Sequence, residues 1–138
     1  MSNKVVIAEK KCYHISVDFS KNRIYLVIKE KWLNIEDLED FQLYWEQVVE
    51  QVVPNFTIHA DLRLMNILSK EIEELFLSMR LYSVGKGLLH TAEIAAVDDI
   101  ANLQVEKIAN HSKFPFTRFK TPELAEEFLD QLTSITSK

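Results

Sequence analysis

The sequence predicts an α/β fold, a single-layer mixed and mostly parallel β-sheet with its helices mainly on one face. Three observations carry that prediction. Segments that alternate apolar and polar residues interleave with segments in which apolar residues recur every three or four positions, giving the order β-β-α-β-α-β-α-β-α. Strands reached one after another through helices call for parallel pairing with right-handed crossovers. Finally, the strands alternate where a sheet covered on both faces would show continuous apolar runs, so one face is expected to be packed. The other face, bearing His14, Ser16, Thr57 and His59, is expected to be wetter or to meet a partner.

The elements follow in order. In "YHISVDF", Tyr13, Ile15, Val17 and Phe19 point one way and His14, Ser16 and Asp18 the other; the turn residues "SKN" then lead into β-rich "RIYLVIK", which makes a hairpin. Asn34 is placed as a helix cap with Glu36 and Asp37 in the first turn, and Ile35, Leu38, Phe41, Trp45, Val48, Val49 and Val52 form the apolar stripe up to Pro54. "FTIHADL" is a strand whose faces are Phe56, Ile58, Ala60, Leu62 and Thr57, His59, Asp61. Ser69 caps the next helix, whose stripe is Ile72, Leu75, Phe76 and Met79, and Gly85 and Gly87 stop it. "HTAEIAAV" is a strand, Asp98 caps a helix through Ile100, Leu103 and Ile108, "FPFTRF" is the last strand, and Thr121 with Pro122 opens the last helix.

Composition bounds the function. At 138 residues the chain reads as one domain over 1–138, and 47% apolar with 27% charged residues is an ordinary globular balance. It contains no apolar run long enough to span a bilayer, and "MSNKVVIAEKK" does not read as a secretory signal, so the expected address is cytoplasmic. The lone Cys12 reads as a buried, inert thiol that can form neither an internal disulfide nor a thiolate cage. A net charge of -5 with scattered lysines argues against nucleic acid as a partner.

Catalytic and cofactor patterns are missing. The four histidines have no metal-ligand spacing, the two glycines make no phosphate cradle, and no cofactor is expected. His59 and Asp61, two apart on one strand face, form the one conceivable acid–base pair, and polar side chains facing water or an interface are the simpler account of them. Asp61 and Arg63 stand at the carboxyl end of a central strand, where open α/β sheets bind ligands, and with Trp32 and Asp98 they are expected to make a crevice with an aromatic wall. Leu64, Ile67, Ser69 and Lys70 extend this candidate partner surface.

Three stretches, "HISVDFSKNRIYLVIKEKWLNIEDLEDF", "FTIHADLRLMNILSKEIEELF" and "FTRFKTPELAEEFL", together resemble the sulfate-transporter and anti-sigma-factor-antagonist (STAS) superfamily, with its SpoIIAA-like fold, over nearly the whole chain. Signalling members of that family carry Asp-Ser-Ser-Gly at the start of the second helix and are switched by phosphorylation of a serine. Aligned without gaps from Asp61, that motif falls on Ser69, Lys70, Glu71 and Ile72, so the acceptor position is a lysine and the switch is not implied. The resemblance implies a non-enzymatic module that binds a protein partner or a second copy of itself. The alternative is a module for a small apolar or amphipathic ligand held between helices and sheet, near Phe41, Leu75 and Phe76.

Overall fold

The computed structural model describes residues 3–136. Six strands, β1 (Val5–Glu9), β2 (Tyr13–Asp18), β3 (Arg23–Ile28), β4 (Thr57–Asp61), β5 (His90–Ile94) and β6 (Phe116–Phe119), form one mixed sheet in the order β1-β2-β3-β4-β5-β6. The first three are antiparallel, and the pairs β3–β4, β4–β5 and β5–β6 are parallel. Four helices follow: α1 (Phe41–Gln51), α2 (Lys70–Gly85), α3 (Asp99–Ser112) and α4 (Pro122–Thr136).

Strand β1 is an addition to the sequence reading. Its register slips between Val6 and Ala8, and Val5 and Val6 stay exposed, so the period-two pattern that would announce a strand is broken in mid-element. A second correction concerns the start of the first helix. Asn34 makes no side-chain cap; Ile35–Leu38 is a 3-10 turn, and the α-helix begins only at Phe41. Phe19 lies beyond β2 and is exposed.

The position of the helices follows from topology. All three parallel crossovers advance in the same direction across the sheet, and the right-handed rule then places α1, α2 and α3 on one face. There, Ile15, Val17, Ile24, Leu26 and Ile58 meet Phe41, Trp45, Phe76 and Val105 in the main core. Each fully buried side chain of this size stabilises the fold by roughly 1.5–3 kcal/mol. Both buried indoles find partners: the Trp45 N–H donates to Ser83 Oγ at 2.8 Å and the Trp32 N–H to the Cys12 carbonyl at 3.2 Å. One charged pair lies inside this layer. Arg80 of α2, 1% exposed and flanked by the Phe76 and Phe114 rings, donates to Glu93 of β5, which is fully buried.

Helix α4 is no crossover, and it packs on the reverse face. Ala125 and Leu129, with Phe128, meet Ala92, Ile94 and Phe119 in a separate cluster. The polar face expected to be wet is therefore largely closed. Thr57 and His59 are buried on β4, where α4 packs across β4, β5 and β6, and Ser16 on β2 is buried too, while His14 stays partly exposed. Arg23 on this face is fully buried, donating from Nε to Thr57 Oγ1 at 2.9 Å and from Nη1 to Asp130 at 2.8 Å.

Candidate functional site

The carboxyl ends of β3, β4 and β5 carry three loops, and a side-chain amide holds each of them. Asn66 accepts from the Trp32 backbone N–H at 2.5 Å and donates to the Trp32 carbonyl at 3.1 Å. Gln104 accepts from the Leu68 N–H at 2.7 Å and returns a bond to its carbonyl at 3.0 Å. Asn102 does the same with Ala96, both bonds at 2.8 Å. Each amide copies the donor–acceptor pair of a neighbouring strand, so backbone that leaves the sheet keeps its hydrogen bonds. The loops also hold each other, through Val97 N–H donating to the Arg63 carbonyl at 3.1 Å.

Asp61 and Arg63 come together as the sequence placed them, but mainly as a partnership with each other. Both Asp61 oxygens accept from the Arg63 guanidinium, at 2.9 Å from Nε and 2.6 Å from Nη2, and Oδ1 also takes the Arg63 N–H at 3.2 Å. This pairing pushes the Arg63 guanidinium further up from its ordinary value. The Asp61 carboxylate is largely buried, while half of the Arg63 side chain reaches solvent.

Two depressions adjoin at this edge. One of 650 Å³ is lined by Glu30, Lys31, Arg63, Leu64, Met65, Asn66, Val97 and Asp98; the other, of 550 Å³, lies among Val27, Lys29, Asp61, Arg63, Leu64 and Val97. Arg63, Leu64, Asp61 and Asp98 thus converge. Trp32 does not: the residue is 1% exposed, its ring packed edge-on against Tyr13, Phe41 and Phe76, and no aromatic side chain lines either depression. Asp98 is engaged as the cap of α3, accepting from Ile100 N–H at 2.9 Å and Ala101 N–H at 3.1 Å. Ser69 caps α2 through Ile72 N–H at 3.3 Å. Lys70 faces a separate 250 Å³ groove with Leu77, Lys107 and His111, between α2 and α3.

The feature that sequence reasoning saw only in part is apolar. Leu33, Leu64, Ile67, Val97, Ile100 and Leu103 are all exposed, Val97 by 83%, and they make up six of the thirteen large apolar side chains exposed among the described residues. Leu33, Leu64, Ile67 and Val97 stand on the strand-end loops tied together by the amide pairs, and Ile100 and Leu103 on the first turns of α3 beside them. Of Ile100, Leu103 and Ile108, the apolar residues that mark this helix in the sequence, only Ile108 is buried, with Ala101, Val105 and Ala109. A concentration of exposed apolar side chains on fixed backbone is the property of an interaction surface.

No group of three or more metal-ligating side chains occurs among the described residues. None of their helices is long and apolar enough to cross a membrane. No protein-family model matches the chain, and no curated protein and no solved structure matches it.

Proposed function

We propose that this chain is a non-enzymatic, STAS-like interaction or regulatory module of a bacterial cytoplasm, which binds a protein partner through the apolar ledge at the carboxyl end of its sheet. The observation that supports this reading is the ledge itself: four exposed apolar side chains on loops whose backbones are already fixed by Asn66, Gln104 and Asn102, and two more, Ile100 and Leu103, on the helix that follows. A surface that is ordered before binding gives up little conformational entropy on association. The polar groups nearby support binding over chemistry. Asp61 and Arg63 satisfy each other, Asp98 and Ser69 are occupied as helix caps, and His59 Nε2 donates to the Pro122 carbonyl at 3.1 Å. With Lys70 at the position where the family's acceptor serine would stand, the module works without a phosphoserine switch.

The test is substitution on the ledge. Leu64→Asp and Ile67→Asp each place a charge on an exposed side chain and leave the core alone. Tagged wild-type protein should retain a partner in fixed stoichiometry, or run as a stable dimer, and both variants should lose at least tenfold of that affinity with the melting temperature unchanged. Equal capture and equal mass for wild type and both variants would remove the ledge from consideration.

A second reading, a small amphipathic ligand, is favoured by one observation: the two strand-end depressions share aliphatic Leu64 and Val97 with the Arg63 guanidinium. In the helix-to-sheet layer, Phe41 and Phe76 both press on Trp32 and fill the space such a ligand would need. Native mass spectrometry separates the readings, a copurifying mass of a few hundred daltons supporting the ligand.

A further inference from the structure

On the reverse face a 540 Å³ groove opens between α4 and the sheet, lined by Lys4, Tyr25, His59 and the acidic side of α4. Its floor is aromatic, with the Tyr25 and His59 rings 5.3 Å apart. Its wall carries Glu123, Glu126, Glu127 and Asp130. Two of these are engaged from below: Glu126 accepts from the Tyr25 hydroxyl at 2.6 Å and from Lys21 at 2.7 Å, and Asp130 accepts from Arg23 at 2.8 Å. Glu123 and Glu127, one helical turn apart, form no ion pair among the described residues.

A cation already sits in this groove. The Lys4 side chain crosses over β2 and sets Nζ 3.9 Å from the centroid of the Tyr25 ring. The negative face of an aromatic ring attracts an ammonium, and carboxylates beside it accept the remaining N–H donors, which together make the usual recognition set for an alkylammonium. The groove runs along α4 past two carboxylates that Lys21 and Arg23 leave unneutralised, and it offers far more room than one ammonium takes up. We propose that this reverse-face groove is a binding site for an alkylammonium, either a lysine side chain or a linear polyamine, and that Lys4 fills part of it in cis.

The ligand chemistry is fixed by the ring and the carboxylates; its source is decided by experiment. Spermidine and the blocked peptide acetyl-Ala-Lys-Ala-amide are titrated into the full chain while the Tyr25 and His59 ring resonances are followed, with the acetyl-lysine peptide as neutral control. Saturable shifts at both rings are expected, absent with the control. Lys4→Met removes the competitor in cis and should tighten binding about threefold. The double variant Glu123→Gln/Glu127→Gln, on the exposed side of α4, should weaken binding about fivefold or more at an unchanged melting temperature. Tighter binding of spermidine assigns the groove to free polyamines, and tighter binding of the peptide assigns it to a lysine side chain. No saturable shift from either probe, equal shifts from the neutral control, or an affinity indifferent to the double variant overturns the proposal. That failure would leave the strand-end ledge untouched, because the two surfaces share no residue.

Discussion

Glu93→Gln should be among the most damaging conservative substitutions in this chain. Glu93 is fully buried, Arg80 is 1% exposed, and the two are joined in a layer where the nearest surroundings are the Phe76 and Phe114 rings, 4.6 and 4.2 Å from the guanidinium carbon. Burial pushes the Arg80 guanidinium below its ordinary value, and the Glu93 carboxylate opposes that push. The pair is incompletely satisfied as it stands, since Arg80 Nε and Glu93 Oε1 have no hydrogen-bond partner among the described residues, and Arg118 Nε stays 3.8 Å from Glu93. Glutamine keeps the shape and removes the charge, leaving a guanidinium in apolar surroundings. Losing one partner of such a pair costs about 3–5 kcal/mol. Total stabilities are only about 5–15 kcal/mol, and a domain of this size loses roughly 4 °C per kcal/mol, so the melting temperature should fall by about 12 °C or more. Thermal and urea unfolding followed by circular dichroism measure the change. The double variant Arg80→Met/Glu93→Leu should recover most of the loss, because no charge is then left unpaired. A single variant with the wild-type midpoint, or a double variant as unstable as the single, would refute this account of the pair.

Two further outcomes are expected. Asp98→Ala removes the acceptor for two N–H groups at the start of α3 and should cost about 1 kcal/mol, read from the same urea titration. Acid should weaken the reverse face: burial pushes Glu126 up, but bonds from Lys21 and Tyr25 outweigh it and hold the carboxyl below its usual 4.5, and bonds from Arg23 and Lys21 likewise hold Asp130 below its usual 3.8. Carboxyls depressed in the folded state contribute stability above the ordinary range and lose it as pH falls through their folded values. The urea midpoint should therefore drop on acidification below about pH 4.5, and less steeply in Glu126→Gln, in titrations run at neutral and acid pH.

Strands and helices were legible wherever apolar and polar residues alternate in step with the element. "FTIHADL" shows its two faces in the sequence although β4 is buried on both, and Ser69, Asp98 and Thr121 announce helix starts that their side chains do cap. Strand β1 was not legible, because an irregular edge strand with exposed valines has no single periodicity to read. The reverse face was misjudged for a different reason: alternation says that one side of a strand is polar, and Arg23, Thr57 and Tyr25 satisfy one another and α4 away from water. The Asp61–Arg63 pairing was visible as proximity in the chain. The amide clamps were not, since Asn66 and Trp32 are 34 residues apart and nothing in either residue type marks the other. Trp32 was assigned to the crevice by its place in the sequence, and it is the burial of its ring that turns it into core.

The strictly sequential order of the sheet bears on how the chain reaches its native state. Every strand lies beside the one made just before it, so each pairing step closes a loop no longer than one helix and its connections, and the entropy lost at any single step stays small. Assembly can grow outward from the β2–β3 hairpin, one unit docking on the last. Helix α4 is the exception: its bonds to Arg23 and Tyr25 span about a hundred positions, with the Glu126–Tyr25 pair 101 apart, which makes the closing of the reverse face the step that waits for all the others.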